Sequence, residues 1–231
     1  MKRPWLLALG LLAFALAAST ISTFLPHRLY GKRIAGQVVD AETGNGIPGA
    51  YVAFYWESGI IPSGFTGHNS RDICYHAAAT QTNDRGRFEI APWQKWSTYD
   101  VLVRDPLVIV YAPHYVPDQF VLGAGAFRPP IERFNERYAV KPFTGTPAAR
   151  MYMLFWGLAN HACFYGGGSQ KSLYPMLRAV FQEATAVSRT KDDQATVQII
   201  ARLTAEAAIS PNPNGPIDDE RVEAFIRGNL Q

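Results

Sequence analysis

Two thiol–imidazole pairs come closest to chemistry: Cys74-Tyr-His76 and His161-Ala-Cys163 each set a cysteine two residues from a histidine. Two Cys and two His make a tetrahedral zinc set. On a strand, residues two apart share a face, so Cys74 and His76 could chelate together. On a helix they diverge by about 200°, so His161 and Cys163 point apart. Cys74, His76, His161 and Cys163 are therefore only a weak metal alternative, and no cofactor is expected. No two histidines have a single residue between them, and neither an H-E-x-x-H metalloprotease motif nor a G-x-S-x-G elbow occurs. Ser188-Arg-Thr-Lys191 matches S-x-x-K by letters, but it straddles a helix junction, where capping explains it better. Asn83-Asp-Arg-Gly86 has the opening of a calcium loop without the later carboxylates. An enzyme would have to be built on His76, His114 and Asp118. Aromatic residues offer a gentler chemistry: Trp93, Trp96 and Tyr99 cluster, and Tyr111 and Tyr115 follow at a later strand end. Such rings stack on sugars or anchor a protein, or else they cover the open end of the body.

The elements that position these residues begin outside the cytoplasm. Met1–Ala18 has a basic start (Lys2, Arg3), an apolar run, and Ala15-Leu-Ala17 as a small-x-small cleavage pattern. Counted on to Leu25, the same run reaches the roughly 20 residues that span a bilayer. A cleaved signal peptide and an uncleaved N-terminal hydrophobic helix both stay open. Both export the rest, to the periplasm or cell envelope, and the second adds N-terminal membrane contact. In an exported chain, two cysteines invite a disulfide, Cys74–Cys163, with two free thiols as the alternative. Closing that loop of about 90 residues contributes roughly 4–5 kcal/mol in the chain-entropy model.

Composition narrows the classes further. With 231 residues, 48% hydrophobic and 18% charged, the chain is folded and large enough for one or two cores. The formal charge is +3; setting Lys2 and Arg3 aside leaves 20 basic residues against 19 acidic. No Lys/Arg stripe or RNA-binding aromatic motif occurs, so nucleic acid is not an expected partner.

Ile34–Val39 is β-branched, and Gly49–Glu57 alternates after the punctuation Asp40-Ala-Glu-Thr-Gly-Asn-Gly46. The two-residue period puts Ala50, Val52, Phe54 and Trp56 on one face, and Tyr51, Ala53, Tyr55 and Glu57 on the other. Asn83–Gly86 predicts a four-residue hairpin loop between Ile73–Thr82 and Arg87–Ile90, with Gly86 left-handed. Further strands are expected at Tyr99–Val103, Leu107–Ala112 and His114–Leu122. The Gly/Pro-rich stretch Gly123–Pro147 predicts an irregular connection. From Ala148 the period becomes helical: one apolar helix over Ala148–Tyr165, and a second from Ser172 or Leu173 with Pro175 in its first turn. A third is capped by Thr190-Lys-Asp-Asp193, and a short last one by Asp218.

Here the residues resemble a known family. Gly36, Val38, Asp40, Thr43 and Gly44, then Ile47, Pro48, Gly49, Ala50 and Val52, spell G-x-V-x-D-x-x-T-G-x-x-I-P-G-A-x-V. Downstream, Thr82, Asp84, Gly86, Phe88 and Ile90 spell T-x-D-x-G-x-F-x-I. This pairing resembles the carboxypeptidase regulatory-like domain and covers a third to a half of the chain. The resemblance implies a seven-stranded, transthyretin-like (prealbumin-like) Greek-key β-sandwich, mostly non-catalytic and found in exported proteins. Intradiol dioxygenases share such a sandwich but hold iron with two Tyr and an H-x-H pair, which is missing here. The C-terminal Tyr-Arg-Gly-Ser of transthyretin-like hydrolases is missing too.

The expected organisation is a signal peptide (1–18) or an anchor (to about 25), a sandwich over 32–122, a connection over 123–147 and a helical region over 148–231. The expected role is a non-enzymatic exported envelope protein, structural or binding, toward a protein or glycan partner. The alternative is a metal-dependent, dioxygenase-like enzyme on the same sandwich.

Overall fold

The computed structural model describes residues 27–60, 72–97, 101–103, 106–117, 137–158, 171–209 and 218–230. Its centre is β3 (Tyr51–Ile60), whose residues from Val52 to Trp56 are all buried. Both of its faces are covered, so both halves of the alternation are consumed. Val52, Phe54 and Trp56 enter one apolar core, while Ala53 and Tyr55 enter the other.

The first core lies between two sheets. In one, β2 (Ile34–Asp40) is flanked by β5 (Arg87–Ile90) and β9 (Arg137–Val140). In the other, β3 pairs antiparallel with β4 (Asp72–Gln81) on one side. On its other side it pairs with β7 (Val101–Val103) and β8 (Leu107–Tyr111). Ile34, Val38, Phe88, Ile90 and Val140 face Val52, Phe54 and Val108 across the sandwich. A two-stranded ribbon, β1 (His27–Gly31) with β6 (Trp93–Ser97), packs through Trp93 against Trp56, ring centroids 5.2 Å apart.

The second core joins the far face of β3 to the helices: α1 (Pro147–Leu158), α2 (Tyr174–Val187), α3 (Lys191–Ile209) and α4 (Asp219–Asn229). The molecule is thus three layers, sheet on sheet on helices. A short 3₁₀ turn, Lys171–Leu173, precedes α2, with proline in the first turn as expected. At α3 the capping box is reciprocal. The Asp193 N–H donates to Thr190 Oγ1 (3.1 Å), and the Arg189 and Thr190 N–H groups donate to Asp193 Oδ2 (2.8 Å each). Val197, Ile200, Leu203 and Ala207 form its buried stripe. Asp218 caps α4 through the Arg221 N–H.

The two turn phrases interlock. Gly86 takes φ +73°, and a Cβ there would lie 2.4 Å from the Val38 carbonyl oxygen. Thr82, buried, donates from Oγ1 to the Ile47 carbonyl (2.6 Å) and accepts there from the Ala50 N–H (2.9 Å). Asp40 Oδ1 accepts from the Glu42 and Thr43 N–H groups, both at 2.8 Å, and closes the first reversal.

Four expectations change. Asn83–Gly86 turns the chain without closing a hairpin: Arg87–Ile90 pairs with β2, while Asp72–Gln81 pairs with β3 in the other sheet. Pro113 and His114 form a turn, and Tyr115 makes an isolated bridge to Pro142, so no strand starts at His114. The strand beside β2 comes instead from Arg137–Val140, inside the expected connection, and it runs parallel to β2. His27–Gly31 and Trp93–Ser97 are also strands, which brings the described strands to nine. Residues 118–122, the end of the first expected helix after Leu158 and the N-terminal helix lie outside the described residues. No helix among the described residues is long and apolar enough to cross a membrane.

Candidate functional site

Polar groups converge where β8 ends and α1 begins. Arg150 is the single charged residue of α1 (PAARMYMLFWGL), and it points inward, 2% exposed. Its Nε and Nη2 donate to Glu183 Oε1 (2.9 Å) and Oε2 (2.8 Å), a bidentate pair reaching α2. Its Nη1 donates to the Tyr115 carbonyl. Its guanidinium carbon lies 5.3 Å from the Phe143 ring centroid. Tyr111, fully buried, donates to Glu183 Oε2 at 2.8 Å. The His114 N–H donates to Glu183 Oε1 at 3.3 Å, while its carbonyl accepts from the Phe143 N–H at 2.7 Å. His114 has φ +66°, the one positive value outside glycine among the described residues. The turn is held from both sides in a backbone conformation that side chains seldom adopt.

The electrostatics make this cluster a fastener. Burial pushes the Glu183 carboxyl up, but bonds from Arg150 and Tyr111, the Arg150 charge and the His114 N–H together hold it below its ordinary value. Burial first, then the Glu183 charge and hydrogen bond, push the Tyr111 hydroxyl well above the usual tyrosine range. Both carboxylate oxygens are occupied, and the phenol proton is committed to one of them. A general acid or base must exchange a proton near neutral pH; this constellation is arranged to hold one still.

A second cluster surrounds His76. Its ring lies 4.4 Å from Trp93 and 5.2 Å from Trp56, centroid to centroid, and Nδ1 is buried without a hydrogen-bond partner. Desolvation, then the nearby Lys95 charge, hold its pKa down to about 4. His76 is therefore a neutral ring in an aromatic box.

The structure distributes the other expected residues. Trp56 pairs with His76 but Glu57 with Cys74, so Tyr75 is the extra residue of a β-bulge. The strand alternation that would have aligned positions 74 and 76 as a chelate is broken there. No metal-holding group of three occurs among the described residues, and His161 and Cys163 lie outside them. His76 and His114 do not converge. His76 lies level with Trp56 and Tyr111 level with Tyr51, five strand residues away, or roughly 17 Å along β3 before His114 is reached. Asp118 lies outside the described residues. The aromatic residues do not form one patch either. Tyr111 is core, the Tyr115 hydroxyl donates to Asp40 Oδ2 (3.0 Å), Trp93 packs inward and Tyr99 is not described. Of the four that are described, Trp96 alone is open, 71% exposed.

Sequence reasoning passed over Arg150 and Glu183. The signal for Arg150 was present, a lone charge in an otherwise apolar helix. Glu183 lies three residues past Val180 and one before Ala184, beside the buried stripe of α2. It also passed over the pair that stands out on α1: Tyr152, 64% exposed, and Trp156, 47% exposed, with centroids 6.1 Å apart. Compared with known protein families, characterised proteins and solved structures, the chain matches none of them.

Two outcomes follow from the clusters. Glu183→Gln leaves a buried guanidinium unpaired and is expected to cost about 3–5 kcal/mol in urea denaturation. The double variant Arg150→Met/Glu183→Leu should lose less than the sum of the singles; additive losses would show that the pair does not couple. His76, with its folded pKa below its unfolded value near 6.5, leaves stability unchanged above that pH. Its contribution is lost as pH falls from about 6.5 to about 4. The loss is on the order of 1–3 kcal/mol after allowing for its solvent side. His76→Phe should flatten that part of a stability–pH curve, and an unchanged slope would assign it to other groups.

Proposed function

We propose that the chain is an exported cell-envelope protein that performs no catalysis and binds another envelope protein through the outer face of α1. Tyr152 and Trp156 carry this reading. They lie four residues apart on a helix whose one charge is turned inward, so its solvent side offers two large rings and no ion. Tyr and Trp are the side chains that most often dominate a protein interface, because each contributes wide apolar area at low entropic cost. The neighbouring outward position, Ala148, lacks the hydrogen-bonding groups that a sugar site needs around a stacking platform, which favours protein over glycan. The Arg150–Glu183–Tyr111 cluster supports the non-catalytic half of the reading, since its titratable groups are spent on holding α1 and α2 to β8.

Export rests on the N-terminal sequence, and this reading takes that segment as an anchor. The finer architecture, a transthyretin-like Greek key of the carboxypeptidase regulatory-like kind, rests on the motif residues, whose turns close as such a motif requires. A Cys74–Cys163 disulfide belongs to the same reading. Cys74 lies on β4, and the 3₁₀ turn packs on that strand, Ser172 Oγ donating to the Ala77 carbonyl at 3.0 Å.

A photo-crosslinking residue in place of Tyr152, in the native envelope, is expected to give a discrete protein adduct. Trp156→Ser should weaken that adduct on the order of 30-fold, as loss of a hot spot does, and a probe at exposed Ala224 on α4 should give none. Absence of any adduct overturns the reading, and glycan binding abolished by Trp156→Ser replaces protein with glycan. For the disulfide, the exported protein should resist thiol alkylation until reduced. Two thiols reactive before reduction would remove it.

A further inference from the structure

The geometry points to the outer face of the β1–β6 ribbon as a surface that lies on an anionic phospholipid bilayer, with Trp96 in the headgroup zone. The inference rests on the proposed N-terminal anchor. The ribbon has two faces. Trp93 turns inward, onto Trp56 and His76, and folds over Gly31, where a Cβ would meet the Trp93 Nε1 at 2.1 Å. Three residues on, Trp96 therefore belongs to the opposite face, and 71% of it is exposed. The register sets position 28, an arginine, across from Trp96, and position 30, a tyrosine, across from Gln94.

Chain continuity and charge name the occupant. The apolar run ends at Leu25, and β1 begins at His27. A segment leaving the bilayer there delivers the ribbon within two or three residues of the headgroups, less than about 10 Å of chain. The ribbon and the residues joining it to β2 and β5 hold Arg28, Lys32, Arg33 and Lys95 and no acidic residue. Arg33 is paired with Glu89, and Lys95 alternates onto the Trp93 side, which leaves Arg28 and Lys32 to meet anionic lipid. Without these two and Lys2 and Arg3, the chain's 22 basic residues fall to 18 against 19 acidic, so its positive surplus lies at the two ends of the anchor segment. Tryptophan, tyrosine and arginine together on one face are the residues that settle at a bilayer interface.

The test uses the full chain in vesicles of phosphatidylethanolamine and phosphatidylglycerol carrying lipids brominated near the headgroup. Of the five tryptophans, Trp5 reports the anchor and Trp96 the ribbon. Each signal is isolated by difference, against Trp5→Phe and Trp96→Phe. The expected result is quenching of both. Trp96 quenching should fall about twofold or more in Arg28→Gln/Lys32→Gln, and again between about 0.1 M and about 1 M salt, where the screening length shrinks from about 10 Å to about 3 Å. Quenched Trp5 with unquenched Trp96 overturns the ribbon surface and leaves the anchor standing. Unquenched Trp5 overturns the anchor and this inference with it. Trp96 shielded from aqueous iodide yet untouched by brominated lipid marks a protein occupant and overturns the lipid assignment. Circular dichroism of Trp96→Phe should match the parent, because the ring makes no core contact.

Discussion

A guanidinium withdrawn from water must keep a partner, and the junction between sheets and helices is organised by that requirement. Arg150 is held on three of its nitrogens, twice by one carboxylate and once by a backbone carbonyl. Because Glu183 belongs to α2, Arg150 to α1 and Tyr111 to β8, satisfying one charge fixes three elements to each other. Apolar packing alone would allow those elements to slide. Directional bonds to a buried ion do not, and in that sense the pair specifies an arrangement more than it adds stability.

The second constraint is the two-sided burial of β3. A strand with one wet face needs apolar residues at alternate positions, but here Ala, Phe, Tyr and Trp follow one another without a polar break. One face is served by close neighbours in sequence, β2 and β5. The other is served by helices more than ninety positions later, such as α1 from Pro147 against Tyr51. The helical region is accordingly the third layer of the sandwich protein and not an appendage.

How much of this could be read from the residues follows the range of the interaction. Turn chemistry is local: Gly86 at positive φ, Asp40 closing its own loop, the Thr190–Asp193 box and the Asp218 cap are each contained in a few residues, and each was legible. The alternation of β3 was legible for the same reason. Strands whose meaning depends on a distant partner were not. Arg137–Val140 is four residues long among glycine and proline signals, and only the exposed edge of β2 makes it a strand. The bulge at Tyr75 is equally silent in sequence, yet it undoes an argument built on strict alternation. Tyr111 and Tyr115 look like surface aromatics until the acceptors that bury them, Glu183 and Asp40, arrive from elsewhere.

The parallel pairing of β2 with β9 has a consequence for biosynthesis. Gln37 finds its neighbour at Arg137, one hundred residues behind it on a chain made from the N-terminus. Until that stretch emerges, the nascent chain carries β2 with one edge bare. The β3–β4 and β2–β5 pairs can close early, while the sheet of β5, β2 and β9 waits for its third strand. An unpaired edge kept open that long is where nascent chains pair wrongly with one another. A chaperone that occupies the edge during synthesis would serve this topology better than one that acts on the finished molecule.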